Sequence, residues 1–331
     1  MLDVTVENNL LKFGDNFSLS FQRTLRIPDD DKTYPLPPSL GTFPICRVED
    51  YSDTVPSSWL EHGGVFIPMY QREALWILFN SCYWKPNALK IAVGKINAVS
   101  GKPWQQKLQS KEADYLVAPP QPWLDGINAG NEYIKQFVAV PLGMGYTVEG
   151  QISGKEEFGG IQIIVYEPKP DKFSEPDHNG EDFMYMEQER GIAFAAPAGG
   201  EMGIAAGGKM KQKIYTDPYG IDTWDENNYG RVYVHIVNSW IYCQITGKEP
   251  PKTPVTAKTY AKYKLPWFNL YDENMSDVAA SSELAQVKTV KEMDAEKELN
   301  SQQDDDSVDI SDSDVISYSV QKSNQVKDSN S

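Results

Sequence analysis

Apolar and polar residues alternate along much of this chain, and a period of two predicts strands with one buried face. Leu2, Val4 and Val6 alternate with Asp3, Thr5 and Glu7. Phe17, Leu19 and Phe21 alternate with Ser18, Ser20 and Gln22, until Pro28 and the aspartates at 29–31 close the segment. Further strands are predicted at 43–48, 65–69, 70–84, 88–99 and 161–167, the last reading IQIIVYE. Within 70–84, residues 71–78 also fit two helical turns. Residues 131–140 are ambiguous in period, and 141–154 reads as a strand punctuated by glycine. Pro35, Pro37, Pro38 and Pro44 make 34–44 an extended loop, and APPQPWLDG makes another of 118–126, because proline fixes φ and lacks a backbone donor. Helix is expected in few places. Residues 105–114 are polar helix formers, and 255–264 carries Thr256 as an N-cap. LPWF at 265–268 reads as an apolar clasp returning to the core.

Many short strands bounded by Gly and Pro define a mainly β fold, with α+β as the alternative. The expected architecture is an antiparallel β-sandwich or barrel-like core over residues 1–271. If that region divides, the polar stretch 169–182 is the boundary. From residue 272 Ser, Asp, Gln and Asn dominate, and Tyr318 is the sole aromatic residue. Such a segment buries too little surface to offset its ordering entropy. Residues 272–331 are therefore expected to form a disordered acidic tail, with a transient helix at 277–299.

Charge narrows the partners. The net charge is −16, of which residues 272–331 contribute −10 from 15 acids and 5 lysines. That field opposes non-specific nucleic-acid binding and anionic membranes. No apolar run approaches 18 residues, so no membrane helix is expected. The N-terminus lacks a basic region followed by an apolar run and does not read as a secretory signal. Cys46, Cys82 and Cys243 are odd in number and far apart, which fits neither a disulfide framework nor a zinc site. Buried free thiols in a reducing compartment follow, with a cytoplasmic location, or a nuclear one if the source is eukaryotic. The sequons at Asn16 and Asn274 are then chance matches.

Residues 191–244 bring loop, charge and core chemistry together. GIAAGGKM at 203–210 meets the first seven places of a phosphate-binding loop, G-x-x-x-x-G-K. Met210 stands where a Ser or Thr hydroxyl should hold Mg²⁺, and the next residues keep a strand period where a helix should open. A flexible glycine-rich connection or a close backbone approach is the better reading. Lys209, Lys211 and Lys213 would share one strand face, as a solvated surface or as ligands to an acidic group. Asp217, Asp222, Asp225 and Glu226 lie among Tyr215, Tyr219, Trp224 and Tyr229. Paired carboxylates with stacking aromatics suit glycoside hydrolysis, whereas Asp and Asn also populate turns for purely structural reasons. The spacing is not that of a calcium loop. His62, His178 and His235 are too scattered for a metal pair, and His235 reads as a core-edge residue. No nucleophile elbow and no dinucleotide fingerprint is present, so no cofactor is expected. In the tail, Ser301 and Ser311 each precede an acid by three positions, which suits an acidophilic kinase. Val315-Ile316 offers a strand that a partner's sheet edge would accept. A purely solubilising acidic tail is the plainer reading.

GVFIPMYQREALW at 64–76, KINAVSGKPW at 95–104, QPWLDG at 121–126 and ITGKEPPKTPVTAKTYAKYKLPWFNLYDE at 245–273 resemble an uncharacterised protein family, mainly bacterial with scattered eukaryotic members. The resemblance covers most of 20–273, leaves the tail outside, and implies no activity or site residues.

The expected function is a soluble, intracellular, non-catalytic binding module for a protein or small-molecule ligand, its tail free to dock a partner. Lys209, Lys211, Lys213, Tyr219, Trp224 and Tyr229 are the candidate ligand contacts. The alternatives are a hydrolase, on a carbohydrate for example, using Asp217, Asp222 or Asp225, and a structural or assembly protein. A concave pocket lined by 191–244 would support the first choice of site. A pocket under Trp104 and Trp123 would move the site to the proline-rich loops.

Overall fold

The N-terminal alternation forms strands Val4–Glu7, Leu10–Phe13 and Phe17–Thr24, which begin a 16-stranded sheet. The structure is a computed structural model that describes residues 1–331 other than 31, 110, 175–199, 253–255, 263–265, 271–274, 300–306 and 319–331. After the first three strands the sheet continues through Ala74–Ser81, Tyr133–Pro141, Glu201–Lys211, Trp224–Asn238, Ile161–Pro168, Asn87–Val93 and Leu116–Ala118. Every neighbouring pair on that path is antiparallel. Val65–Met69 adds in parallel to Trp224–Asn238, and Thr33–Tyr34 to Glu201–Lys211. The fold is thus mainly antiparallel β, and the sheet does not close into a barrel.

The sheet is long and curls round its own inner face. Leu19, Leu75, Phe137, Ile204, Val234, Ile163, Leu89 and Leu116, one from each of eight strands, all join a single core. The outer face is covered in patches. Helices Ser57–His62 and Ser239–Thr246 cover Phe66 and Val237 through Trp59, Tyr242 and Ile245. The loop carrying Leu108 and Tyr115 covers Ala88, Ile164 and Tyr166. Helix Val290–Glu296 covers Val138, Val140 and Ala205. A strand covered on both faces loses its polar alternation. That is why 88–93 and 161–167 read as apolar runs, and why the polar group in the first of them needs partners. Lys90 is 1 % exposed, and its ammonium donates to Asp114 at 2.6 Å and to the carbonyls of Gln105 and Lys107 at 2.7 Å each.

Several expectations change here. Residues 131–140 form the strand Tyr133–Pro141. Part of 141–154 is the helix Val148–Ser153, because Thr147 Oγ1 accepts from Gly150 N–H at 2.9 Å and Gly154 closes the last turn at φ 76°. The long strand of the 191–244 stretch ends at Asn238, whose side chain accepts from Trp240 N–H at 2.9 Å and caps the helix Ser239–Thr246. Residues 105–114 form no helix among the described residues, and their carbonyls serve Lys90 instead. A division at 169–182 does not fit, since strands before and after it interleave in one sheet. The helix Ala257–Lys262 forms after Thr256, and the clasp is real: Trp267 is buried and Phe268 exchanges backbone hydrogen bonds with Leu36 at 2.7 and 2.9 Å.

The largest correction concerns the described part of 272–331; the expectation for 272–274, 300–306 and 319–331 lies outside the described residues. Residues 275–299 lie on the sheet, with helices Ser282–Gln286 and Val290–Glu296. Val278, Leu284, Val287 and Val290 are 5 %, 0 %, 2 % and 1 % exposed. Each such side chain contributes roughly 1.5–3 kcal/mol by leaving water. Polar anchors add to this: Arg72 holds Asp294 in a bidentate pair at 2.7 Å per bond, and Lys135 donates to Ala285 O at 3.1 Å and Val287 O at 2.6 Å. Average composition hid apolar residues spaced to meet one surface. Val315–Tyr318 then pairs in parallel with Trp267–Leu270, so the strand foreseen at Val315-Ile316 is used within the chain.

Candidate functional site

The glycine-rich stretch 203–210 lies inside the strand Glu201–Lys211. Its glycines serve close packing: a Cβ on Gly208 would sit 2.4 Å from Pro28 O. With no helix opening after it, the stretch has no amide cradle for a phosphate. Lys209 lies beside Lys135 in register and Lys211 is exposed beside Tyr133. Lys213, past the strand end, is buried and pairs with Glu132 at 3.2 Å.

In the acidic loop each of three acids has a bond that shapes the loop. Asp217 accepts from Tyr115 OH at 2.7 Å, Trp224 Nε1–H at 2.9 Å and Tyr219 N–H at 2.8 Å. Asp225 accepts from Asn227 N–H at 2.9 Å, an Asx turn, and Glu226 accepts from Leu108 N–H at 2.8 Å. Asp222 is exposed in the turn Ile221–Thr223. Trp224, 2 % exposed, belongs to the core and offers no face to a ligand, and Tyr229 packs against Tyr166 at 5.9 Å. Of the candidate aromatics Tyr219 is the exposed one, edge-on to Phe173 at 5.2 Å. Ser311 is exposed just before the turn Asp312–Asp314, and Ser301 lies outside the described residues. Among the described residues no group of three or more His, Cys, Asp or Glu could hold a metal ion, and no helix is long and apolar enough to cross a membrane.

A concave site lies elsewhere, at a seam in the sheet. Strand Trp224–Asn238 is paired along one edge by Ile161–Pro168 and then by Glu201–Lys211. Along its other edge Val65–Met69 pairs with it only from Val234 onward. Before that point the backbone of this edge receives, among the described residues, a bond from Leu2 N–H to Tyr229 O at 3.0 Å. Carbonyls two residues apart on a strand point the same way. Tyr233 O lies on this edge, against Gly64, whose φ of 91° and missing Cβ allow an approach that a methyl group at 2.2 Å would block. The N–H and C=O of Arg231, midway between Tyr229 and Tyr233, therefore face the gap, and no strand meets them among the described residues.

The gap opens into a cleft of about 650 Å³. Val4, Val6, Leu11, Val65, Ile163 and Val232 make its apolar floor, and Arg47, Lys95, His62, Trp104, Arg231 and Tyr233, with Glu49 and Glu61, make its rim. Side chains alternate across the strand, so Val232 points inward while Arg231 and Tyr233 stand on the outer face. Arg47 pairs with Glu49 and lies 3.7 Å from Asp50. The Lys95 ammonium rests 3.7 Å from the centre of the Phe158 ring, and its backbone N–H donates to Gln162 Oε1 at 2.6 Å. Arg231 is exposed and meets no carboxylate among the described residues. Rings brace the wall: His62 stacks on Tyr233 at 5.3 Å, Tyr233 on His235 at 4.4 Å, and His235 on Trp59 at 4.4 Å. Tyr233 OH donates to the carbonyls of Phe158 and Gly159. His235 Nε2–H donates to Gly63 O at 3.1 Å, and burial pushes its pKa down to about 4. It stays neutral near pH 7 and acts as a brace.

This cleft draws 231–233 from the stretch singled out in the sequence, and Trp104 from the loop proposed in its place. Arg231, Lys95 and His62 had no sequence signal as a group, since 62, 95 and 231 meet only through the pairing of distant strands. Their nearest signal is the alternation Arg231, Tyr233, His235 against Val232, Val234, Ile236. No family model matches the chain, no curated protein is similar to it, and no solved structure resembles it.

Proposed function

We propose that the chain is a non-catalytic binding module whose ligand occupies the cleft at the seam beside Arg231. The observation that carries this reading is the cleft's build: an apolar floor beneath a rim holding Arg47, Lys95 and Arg231 in a chain of net charge −16. Arg47 is paired with Glu49, whereas Lys95 and Arg231 meet no carboxylate among the described residues, so these two select an anionic group, and the concave apolar floor supplies contact area. The acidic loop supports the same choice, because Asp217, Asp225 and Glu226 hold 217–229 together and Asp222 is exposed in a turn.

A thermal-shift screen of metabolites and peptides, with hydrogen exchange on each hit, tests the reading. Hits are expected to slow exchange at 4–6, 62–65 and 231–233. Protection confined to 209–229, or turnover of any hit that Asp222→Asn or Asp225→Asn abolishes, would overturn it.

A further inference from the structure

We infer that the cleft accepts an extended peptide segment of alternating apolar and acidic residues, which adds as a strand to the open edge at Arg231; this rests on the cleft being the ligand site. The argument begins with the backbone. Arg231 presents an N–H and a C=O to the gap, between the Leu2–Tyr229 bond on one side and the Val65–Val234 pairing on the other. Unpaired backbone groups on a strand edge are a template for another strand, and main-chain bonds supply affinity in such complexes. The opening is confined. It spans the few residues between two points where the edge is already held, so it suits a short extended segment rather than a whole sheet.

Side chains then set the sequence the site would read. A strand laid beside 231–233 alternates between the two faces of the sheet, as its neighbours do. On the inner side it meets Val4, Val6, Leu11 and Val232, which suit valine- or isoleucine-like residues. On the outer side it meets Arg231 and Lys95. Lys95 is held there because Gln162, which lies opposite Tyr233 in register, accepts from its backbone N–H. Carboxylates at alternate positions would reach both cations, and Arg231 can engage one of them in a forked, charge-assisted pair. A basic peptide would place its charges against the same two groups and be rejected.

The test uses the full-length protein and a fluorescein-labelled, capped peptide alternating valine and glutamate. Its partners are the same peptide with lysine for glutamate, and the same peptide with its central backbone amides N-methylated. Fluorescence anisotropy is expected to show binding of the glutamate peptide alone. Arg231→Gln and Lys95→Gln, both at the cleft rim, are each expected to weaken it roughly tenfold, the scale of one hydrogen bond to a charged group. N-methylation is expected to weaken it at least as much, since it removes the ladder donors. Circular dichroism melting of each variant guards against loss of fold. Arg231-dependent binding that ignores N-methylation would overturn strand addition while leaving the cleft as the ligand site. Failure of the glutamate peptide, with small dianions such as succinate binding in an Arg231-dependent way, would do the same. Binding unaffected by either variant, or protection mapping away from 231–233, would remove the cleft reading itself.

Discussion

Two buried titratable residues give this protein opposite pH dependences, each argued from one side chain. His235 is held neutral by burial, with its pKa near 4. The unfolded chain binds a proton there from about pH 6.5 downward. Its contribution to stability is therefore full above pH 6.5 and lost as pH falls toward 4. Replacing His235 with Phe, which keeps the stack between Trp59 and Tyr233, removes this term, so the urea midpoint of the variant relative to the wild type is expected to fall as pH rises from 4 to 6.5. Asp125 runs the other way. It is fully enclosed, accepts from Gln212 Nε2 at 2.8 Å, and burial pushes its pKa up to about 7. The folded protein keeps this proton where the unfolded chain has released it, so stability falls as pH rises from about 4 to 7. Asp125→Asn mimics the protonated form. It is expected to match the wild type near pH 4 and to exceed it at pH 8 by on the order of a few kcal/mol, read from the same denaturation series. A wild-type advantage at pH 8 would contradict this reading.

At the scale of elements, the C-terminal helix Val290–Glu296 shows how a polar segment becomes structural. Its capping box closes from Thr289 to Glu292, with Glu292 N–H donating to Thr289 Oγ1 at 3.2 Å and Thr289 N–H donating to Glu292 Oε2 at 2.7 Å. Asp294, 2 % exposed, then engages Arg72 and receives Tyr146 OH at 2.8 Å. Asp294→Ala leaves Arg72 without this partner and opens the cover over Val138 and Ala205. It is expected to cost about 3 kcal/mol, the scale of breaking a buried pair, measured by equilibrium unfolding. Truncation after residue 270 is expected to cost more, because Val278, Leu284 and Val287 leave the core together. An undisturbed melting temperature in the truncated chain would restore the picture of a dispensable tail.

At the scale of the molecule, one sheet binds distant parts of the chain to one another. Tyr133–Pro141 needs Glu201–Lys211, and Ile161–Pro168 needs Trp224–Asn238. A fragment of residues 1–168 is thus expected to show no cooperative unfolding transition by circular dichroism, since its last strands keep open edges and the side chains that 202–308 add to the shared core are missing. The seam belongs to the same scale. It exists because Val65–Met69 joins Trp224–Asn238 late and, among the described residues, the N-terminal segment gives that edge a backbone hydrogen bond at Tyr229 and side-chain packing at Gly230.

Local patterns were enough for the strands at Val4–Glu7, Phe17–Thr24, Val65–Met69 and Ile161–Pro168, because alternation or an apolar run is a property of neighbours in sequence. The mainly antiparallel class, the role of Trp267 and the core-edge place of His235 were legible for the same reason. Tertiary structure decided what depends on partners. Whether Val290 and Asp294 are ordered depends on Ala205, Tyr146 and Arg72, far away in the chain. Whether Trp224 faces a ligand or the core depends on Tyr115 and Tyr166. The cleft is the clearest case, for Arg231, Lys95 and His62 have no spacing that marks them. They share a rim because pairing between distant strands brings the helix end at 62 and the turn at 95 beside the open edge at 231, and an unmade pairing leaves no trace in local sequence.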